Sequence, residues 1–179
     1  MDLARLQIRA LRDKTCLDRF DCGSYDINNY ARNAHKNVAR RKVRVFAAHD
    51  GAAVWGLGFY AVSLMLGERG LPVPGAEFFD FGVPLAYLEV LGVRQPYQNA
   101  GIGRLLLIDA LRRIHHVSGH VPLLGVALRS MNDRTTAFYE QHGFGIVRGG
   151  QHPLMVLPIF SLDDLFAGAP PLSDPGPDA

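Results

Sequence analysis

The sequence predicts one α/β (α+β) domain, a central mixed, mostly antiparallel sheet flanked by helices. Three observations carry this. Apolar strand-like runs and amphipathic helical runs alternate through the second half of the 179 residues, the pattern of a layered α/β sandwich. Two further apolar runs, 43–48 and 53–66, flank His49-Asp50-Gly51, a hairpin turn with a glycine suited to positive φ. A third run, 86–93, passes through a Gly-x-Gly turn directly into a helix.

Residues 7–11 (QIRAL) alternate and read as the first strand. Ser24 then stands as an N-cap, and a polar, basic helix follows over 27–41. Its apolar residues Ile27, Tyr30, Ala31, Ala34 and Val38 recur at three- and four-residue steps, giving one narrow buried stripe and a wide basic face. The 43–48 and 53–66 strands come next. Residues 67–84 are rich in Gly and Pro and read as a loop, longer than the roughly 12 residues usual for a plain connection. Its Phe78, Phe79 and Phe81 fold over an acceptor site, form a dimer contact or pack on their own core. The 86–93 strand is apolar on both faces and is therefore central. A turn over 94–103 leads into a helix over 103–117. Leu107, Ala110, Leu111, Ile114 and Val117 form its buried face, and Gly119 and Pro122 end it. A strand over 123–128, a helix over 132–142 stopped by Gly143, and closing strands over 144–147 and 154–157 complete the order β-αα-β-β-β-α-β-α-β-β. Residues 1–160 form the domain and 161–179 a tail, disordered after about 168, where four prolines and two aspartates leave little to bury.

Composition narrows the class. At 48% hydrophobic and 20% charged residues, the chain matches an ordinary globular domain. No apolar run reaches the roughly 18 residues of a membrane span, and the N-terminus lacks the apolar core of a signal peptide. A cytoplasmic protein with no membrane partner is expected. Cys16 and Cys22 match neither a redox pair nor a zinc half-site. Only His116 and His120 have helical ligand spacing, and Gly119 breaks the helix between them, so no metal is expected. Net charge is +2, yet residues 1–44 carry 11 Lys/Arg against five Asp. Such asymmetry fits either a solvated helix face or a surface for an anionic partner.

The chemistry lies in residues 88–113, LEVLGVRQPYQNAGIGRLLLIDALRR. Amides around Gly101 and Gly103 converge ahead of a helix N-terminus, which makes an anion site. The third glycine of a dinucleotide fingerprint is missing, and so is the Gly-Lys-Ser/Thr of a phosphate-binding P-loop. Gln98, Gly101 and Gly103 instead match the Q/R-x-x-G-x-G/A pyrophosphate loop of the GNAT superfamily of N-acetyltransferases. Residues 132–144, NDRTTAFYEQHGF, resemble that superfamily's second signature at Asn132, Phe138, Tyr139, Gly143 and Phe144, with Thr135 where alanine is usual.

The resemblance implies acetyl-CoA in a V-shaped cleft between the strand ending at Val93 and the strand over 123–128. It implies that backbone groups of Leu91, Gly92 and Val93 hold the pantetheine arm and acetyl carbonyl. The amides of Gln98, Asn99, Ala100, Gly101, Ile102, Gly103 and Arg104 would hold the pyrophosphate, with Asn132 and Phe138 also at the coenzyme. Tyr139 would protonate the leaving thiolate. Glu89 stands where some members acting on small amines carry a carboxylate, and is either a general base or a structural residue. A neutral substrate amine, such as that of an aminoacyl ester, needs no base.

Residues 20–48, FDCGSYDINNYARNAHKNVARRKVRVFAA, further resemble the opening of TacT-type toxins of toxin–antitoxin pairs. The likeness covers roughly 15–160. It implies acetylation of the α-amine of aminoacyl-tRNA, a ribbon-helix-helix antitoxin as partner, and a homodimer. It also gives Lys36, Arg40, Arg41, Lys42 and Arg44 a purpose, since holding phosphates needs several cations; Arg32 and Arg94 are weaker candidates. An acetyltransferase of a small-molecule or protein amine, and a binding module without turnover, are the competing readings.

Overall fold

The computed structural model describes residues 3–12, 14–51 and 53–168. Eleven regular elements follow in chain order: β1 (Leu6–Ala10), α1 (Tyr25–Ala39), β2 (Arg44–Asp50), β3 (Gly58–Gly67), β4 (Val83–Val93), α2 (Ile102–Ser118), β5 (Gly125–Arg129), α3 (Asp133–Glu140), β6 (Gly145–Arg148), β7 (Leu154–Pro158) and α4 (Phe160–Phe166). The seven strands make one sheet in the order β1-β2-β3-β4-β5-β7-β6. A helical crossover such as α2 joins parallel neighbours, so the sheet is mixed, as the sequence predicts. No helix among the described residues is long and apolar enough to cross a membrane.

The chain divides into two compact units. One comprises Met1–Ser63 with Tyr87–Ala110. Here β1 pairs antiparallel with β2 from Leu6↔Asp50 to Ala10↔Phe46, and β2 with β3 from Arg44↔Val62 to Ala48↔Gly58. The stripe read from the sequence of α1 packs on this sheet. Ala31 and Ala34 are buried with Leu17, Phe20, Ala47 and Phe59, and Ile27, Tyr30 and Val38 flank them. Phe20 meets Phe59 edge to face at 4.9 Å, an arrangement that adds to area burial. The two helical segments expected ahead of the second strand are one helix. Ser24 takes the N-cap position, but its side chain makes no capping bond.

The other unit comprises Leu64–Ala86 with Leu111–Ala179. β5 pairs with β7 from Gly125↔Pro158 to Arg129↔Leu154, and β6 pairs with β7. Val126, Ala127, Met155 and Leu162 are fully buried.

Several expectations need correction. β3 starts at Gly58 rather than at residue 53. The Ala53 amide turns back onto Asp50 O, and the Gly56 amide donates to Cys16 O, so backbone groups that would extend the ladder are engaged elsewhere. β4 starts at Val83, which shortens the loop to 68–82, and a 3-10 turn spans Ala76–Phe78. Leu71 and Val73 of that loop are buried, whereas Phe78 and Phe81 are 81% and 95% exposed. Aromatic packing on the loop's own core therefore fails for those two rings. The tail expected from residue 161 begins inside α4, which buries Leu162. The disorder expected beyond residue 168 falls outside the described residues.

Candidate active site

The glycine turn ahead of α2 is built by long-range contacts within the first unit. β4 ends at Val93, and Arg94 acts as a staple. Its Nε donates to Gly56 O at 2.8 Å, Nη1 to Arg19 O at 2.7 Å and Nη2 to Asp18 O at 2.9 Å. Its guanidinium also lies 5.2 Å from the centroid of the Phe20 ring. The expectation that Arg94 contacts phosphate is corrected by these bonds, because its donors already hold the backbone around the turn. Each charge-assisted bond of this type is worth more than a neutral one. Arg94→Ala is therefore expected to lower unfolding free energy by about 2–3 kcal/mol, read as a lowered denaturant midpoint, with Arg94→Lys recovering only part of it.

Beyond Arg94 the chain makes a 3-10 turn, Gln95–Tyr97. The Gln95 amide donates to Asp21 O at 3.0 Å. Gln98 Nε2 donates to both Cys22 O (2.9 Å) and Val93 O (3.0 Å), so its side chain closes the turn on itself. Residues 95–101 are exposed. Asn99 and Gly101 adopt φ of 60° and 85°. At Gly101 this left-handed backbone is the reason for glycine. The helical ladder opens with Leu105 N–H to Gly101 O at 3.1 Å. The amides of Ile102, Gly103 and Arg104 precede it and carry the positive end of the 17-residue helix α2. A Cβ at Gly103 would lie 3.9 Å from Val93 and 4.0 Å from Leu91, ordinary contact, which is why either Gly or Ala suits that position. The turn has the amides, exposure and charge to accept a diphosphate.

In β4, Leu91 and Val93 are half-buried and Gly92 is buried. A Cβ at Gly92 would stand 2.7 Å from Ile27 Cγ2 and 3.4 Å from Phe20, so this glycine lets α1 lie close on the strand. Glu89 is exposed, and Tyr30 Oη donates to its Oε2 at 2.7 Å. Burial, and then the carboxylate, push the Tyr30 phenol well above its ordinary pKa, so it remains a donor. Tyr30 was legible as part of the opening motif; its hold on Glu89, 59 residues away, had no local signal.

In the second unit, Asn132 caps α3. Its Oδ1 accepts the Thr135 amide at 3.0 Å, and Thr135 Oγ1 accepts the Asn132 amide at 3.1 Å. The threonine that departs from the family pattern thus completes a capping box. Two turns on, Tyr139 is buried, with ring centroids of Phe138 and Phe144 at 5.2 and 5.6 Å. Burial pushes its phenol up to about 12, which keeps it protonated throughout the neutral range. His142 Nδ1 lies 2.7 Å from Phe138 O.

Lys36, Arg40, Arg41, Lys42 and Arg44 are all exposed, and among the described residues none is in an ion pair. Arg41 has φ 56°. Its amide bonds Val38 O and the Lys42 amide bonds Asn37 O, a helix-ending motif that usually takes glycine. His115 pairs with Asp163 at 3.0 Å, and no group of three or more potential metal ligands occurs among the described residues. Neither Cys16 nor Cys22 is in a disulfide among the described residues; Cys16 Sγ lies 3.6 Å from His49 Nε2, and burial raises the pKa of Cys22.

The profile of the acetyltransferase (GNAT) family matches residues 70–144. That stretch takes in β4, the glycine turn, α2, β5 and α3. The chain is similar to proteins named as toxins, one of them as tRNA-acetylating. It is 28% identical over 142 residues to "Probable toxin TacT" of Sinorhizobium fredii, covering 70% of this chain and 75% of that protein. It is 28% identical over 152 residues to the "tRNA-acetylating toxin" of Mycobacterium tuberculosis, covering 83% and 90%. The solved structure of AtaT complexed with acetyl-methionyl-tRNAfMet shares the fold, with a TM-score of 0.79 at 22% identity over 90% of this chain and 99% of that one.

Proposed function

We propose that the chain transfers acetyl from acetyl-CoA to the α-amine of aminoacyl-tRNA and so blocks translation, a toxin restrained by a small ribbon-helix-helix antitoxin. The observation that carries the substrate reading is the basic cluster, exposed and without ion pairs among the described residues. Arg41 is the telling member. A non-glycine residue in the left-handed region costs about 1–2 kcal/mol, and the chain accepts that strain to keep a cation there. Arg41→Gly is expected to raise stability by about 1 kcal/mol. It should also reduce the slope of log affinity for tRNA against log salt by about 0.7–0.9. The names of the relatives support the same substrate.

In this reading the amides from Gln98 to Arg104 take the coenzyme diphosphate, and Leu91, Gly92 and Val93 hold the pantetheine arm by backbone bonds, with Asn132 and Phe138 also at the coenzyme. The neutral α-amine attacks the thioester carbonyl, a C–N bond forms, and a backbone N–H at the end of β4 stabilises the oxyanion. The C–S bond then breaks, and the Tyr139 hydroxyl gives its proton to the departing sulfur. The ammonium of the adduct loses a proton to water, through which the phenol is restored. An aminoacyl ester amine is less basic than a lysine amine, so this step needs no strong base. Glu89 already accepts a hydrogen bond from Tyr30, and this reading assigns it no proton transfer. The same reading places the protein in the cytoplasm with its substrate, as a homodimer, for which exposed Leu64, Leu66, Phe78 and Phe81 offer apolar surface.

The held carboxylate of Glu89 favours a second reading, transfer to a small-molecule or protein amine. Rates of acetyl transfer to aminoacyl-tRNA, polyamines and peptides separate the two. The account predicts a kcat/KM preference for aminoacyl-tRNA that falls steeply with salt. Turnover confined to polyamines or peptides contradicts it.

A further inference from the structure

Helix α1 carries a face that extends beyond the basic cluster. Tyr25, Asn29, Arg32, Lys36 and Arg40 recur at helical spacing, so they share one side, and all are exposed. Tyr25 is 77% exposed and contacts no ring, ion or hydrogen-bonding group among the described residues. The opposite face, through Ala31 and Ala34, is locked in the core, so the Tyr25 ring cannot turn inward without unwinding the helix. One end of this face adjoins the coenzyme turn. Gln98 holds Cys22 O, and the Gln95 amide holds Asp21 O, and α1 opens at Tyr25 just beyond. The other end runs into the cluster at Arg40 and Arg41. The 15 residues of α1 separate these ends by about 22 Å.

Resting on the aminoacyl-tRNA reading, we propose that this face is the track for the unpaired 3′ end of the tRNA, with Tyr25 as the platform on which one of its bases stacks. An unpaired base offers a π-face that an aromatic ring accepts whatever the base, and neighbouring cations hold its phosphates. The order of residues sets the direction. Tyr25, beside the coenzyme turn, receives the terminal nucleotides that carry the amino acid. Arg32, Lys36 and Arg40 receive phosphates progressively nearer the duplex. Free amines have no base to stack, so this contact selects tRNA over small amines.

Binding of uncharged tRNA tests this without catalysis. Tyr25→Ala is expected to weaken binding of intact tRNA roughly 5- to 100-fold, with Tyr25→Phe close to wild type and the salt slope unchanged. Both proteins should bind tRNA trimmed of its unpaired 3′ nucleotides equally. The KM for acetyl-CoA and the melting temperature should not move. Equal binding of intact tRNA by wild type and Tyr25→Ala overturns the track, as does an equal loss on trimmed tRNA. If wild-type protein binds tRNA in this 3′-dependent way yet transfers no acetyl to its aminoacylated form, the track stands and the reading of the reaction fails. If it binds no tRNA at all, both fail.

Discussion

Tyr139→Phe is expected to lower kcat for acetyl transfer by about 10²- to 10⁴-fold, the range for loss of a positioned general acid, while acetyl-CoA binding stays intact. The variant removes one oxygen from a buried ring held between Phe138 and Phe144. The ring itself stays in place and only the hydroxyl volume is lost, so melting should shift little and separate chemistry from folding. Burial alone lifts the phenol, to about 12. Its proton is therefore present through mildly alkaline pH, and kcat should show no alkaline decline through about pH 9. A thiolate leaving into equally dry surroundings is itself made more basic by desolvation, which brings donor and acceptor closer together. Calorimetry and steady-state kinetics on the two proteins check each part. Lost coenzyme binding in Tyr139→Phe would turn the residue into a structural one.

Gly101→Val is expected to weaken acetyl-CoA binding by at least about tenfold, equivalent to ~1.4 kcal/mol, and to reduce turnover with it. Gly101 sits at φ 85°, and a Cβ there would come within 3.0 Å of Leu3 Cδ1. A β-branched residue in that region is strongly strained. The turn relieves the strain by leaving the conformation in which its amides converge. Gly103→Ala supplies the contrast, since its Cβ meets only ordinary contacts, and affinity should stay near wild type. Equal losses in the two variants would show that left-handed geometry is not what the coenzyme reads.

What the sequence disclosed was local. The alanine-lined stripe of α1, the glycine turn ahead of α2 and the Asn132 cap of α3 are each written in residues a turn or two apart, where periodicity and capping chemistry operate. What it withheld was long-range. Nothing near Arg94 indicates that its guanidinium closes on carbonyls 75 and 76 positions earlier, so a basic residue beside an anion turn reads wrongly as a phosphate contact. The apolar run before Gly58 reads as strand because Val54 and Trp55 are hydrophobic, yet both are exposed, and the Gly56 amide is taken by Cys16 O. Helix α4 is short, and its Pro- and Gly-rich flanks mask it; Leu162 anchors it by burial, a tertiary effect. The positive φ of Arg41 is equally invisible, because arginine is not the residue such a position normally selects.

The most direct measurement is the chemical identity of the product. Aminoacyl-tRNA incubated with the protein and isotopically labelled acetyl-CoA is digested with nuclease, and the terminal nucleoside is analysed by mass spectrometry. The account predicts label on the α-nitrogen of the esterified amino acid, none in the Tyr139→Phe reaction, and none on tRNA that carries no amino acid. Label on a nucleobase, or an untouched aminoacyl end under conditions where the protein consumes acetyl-CoA, would contradict it.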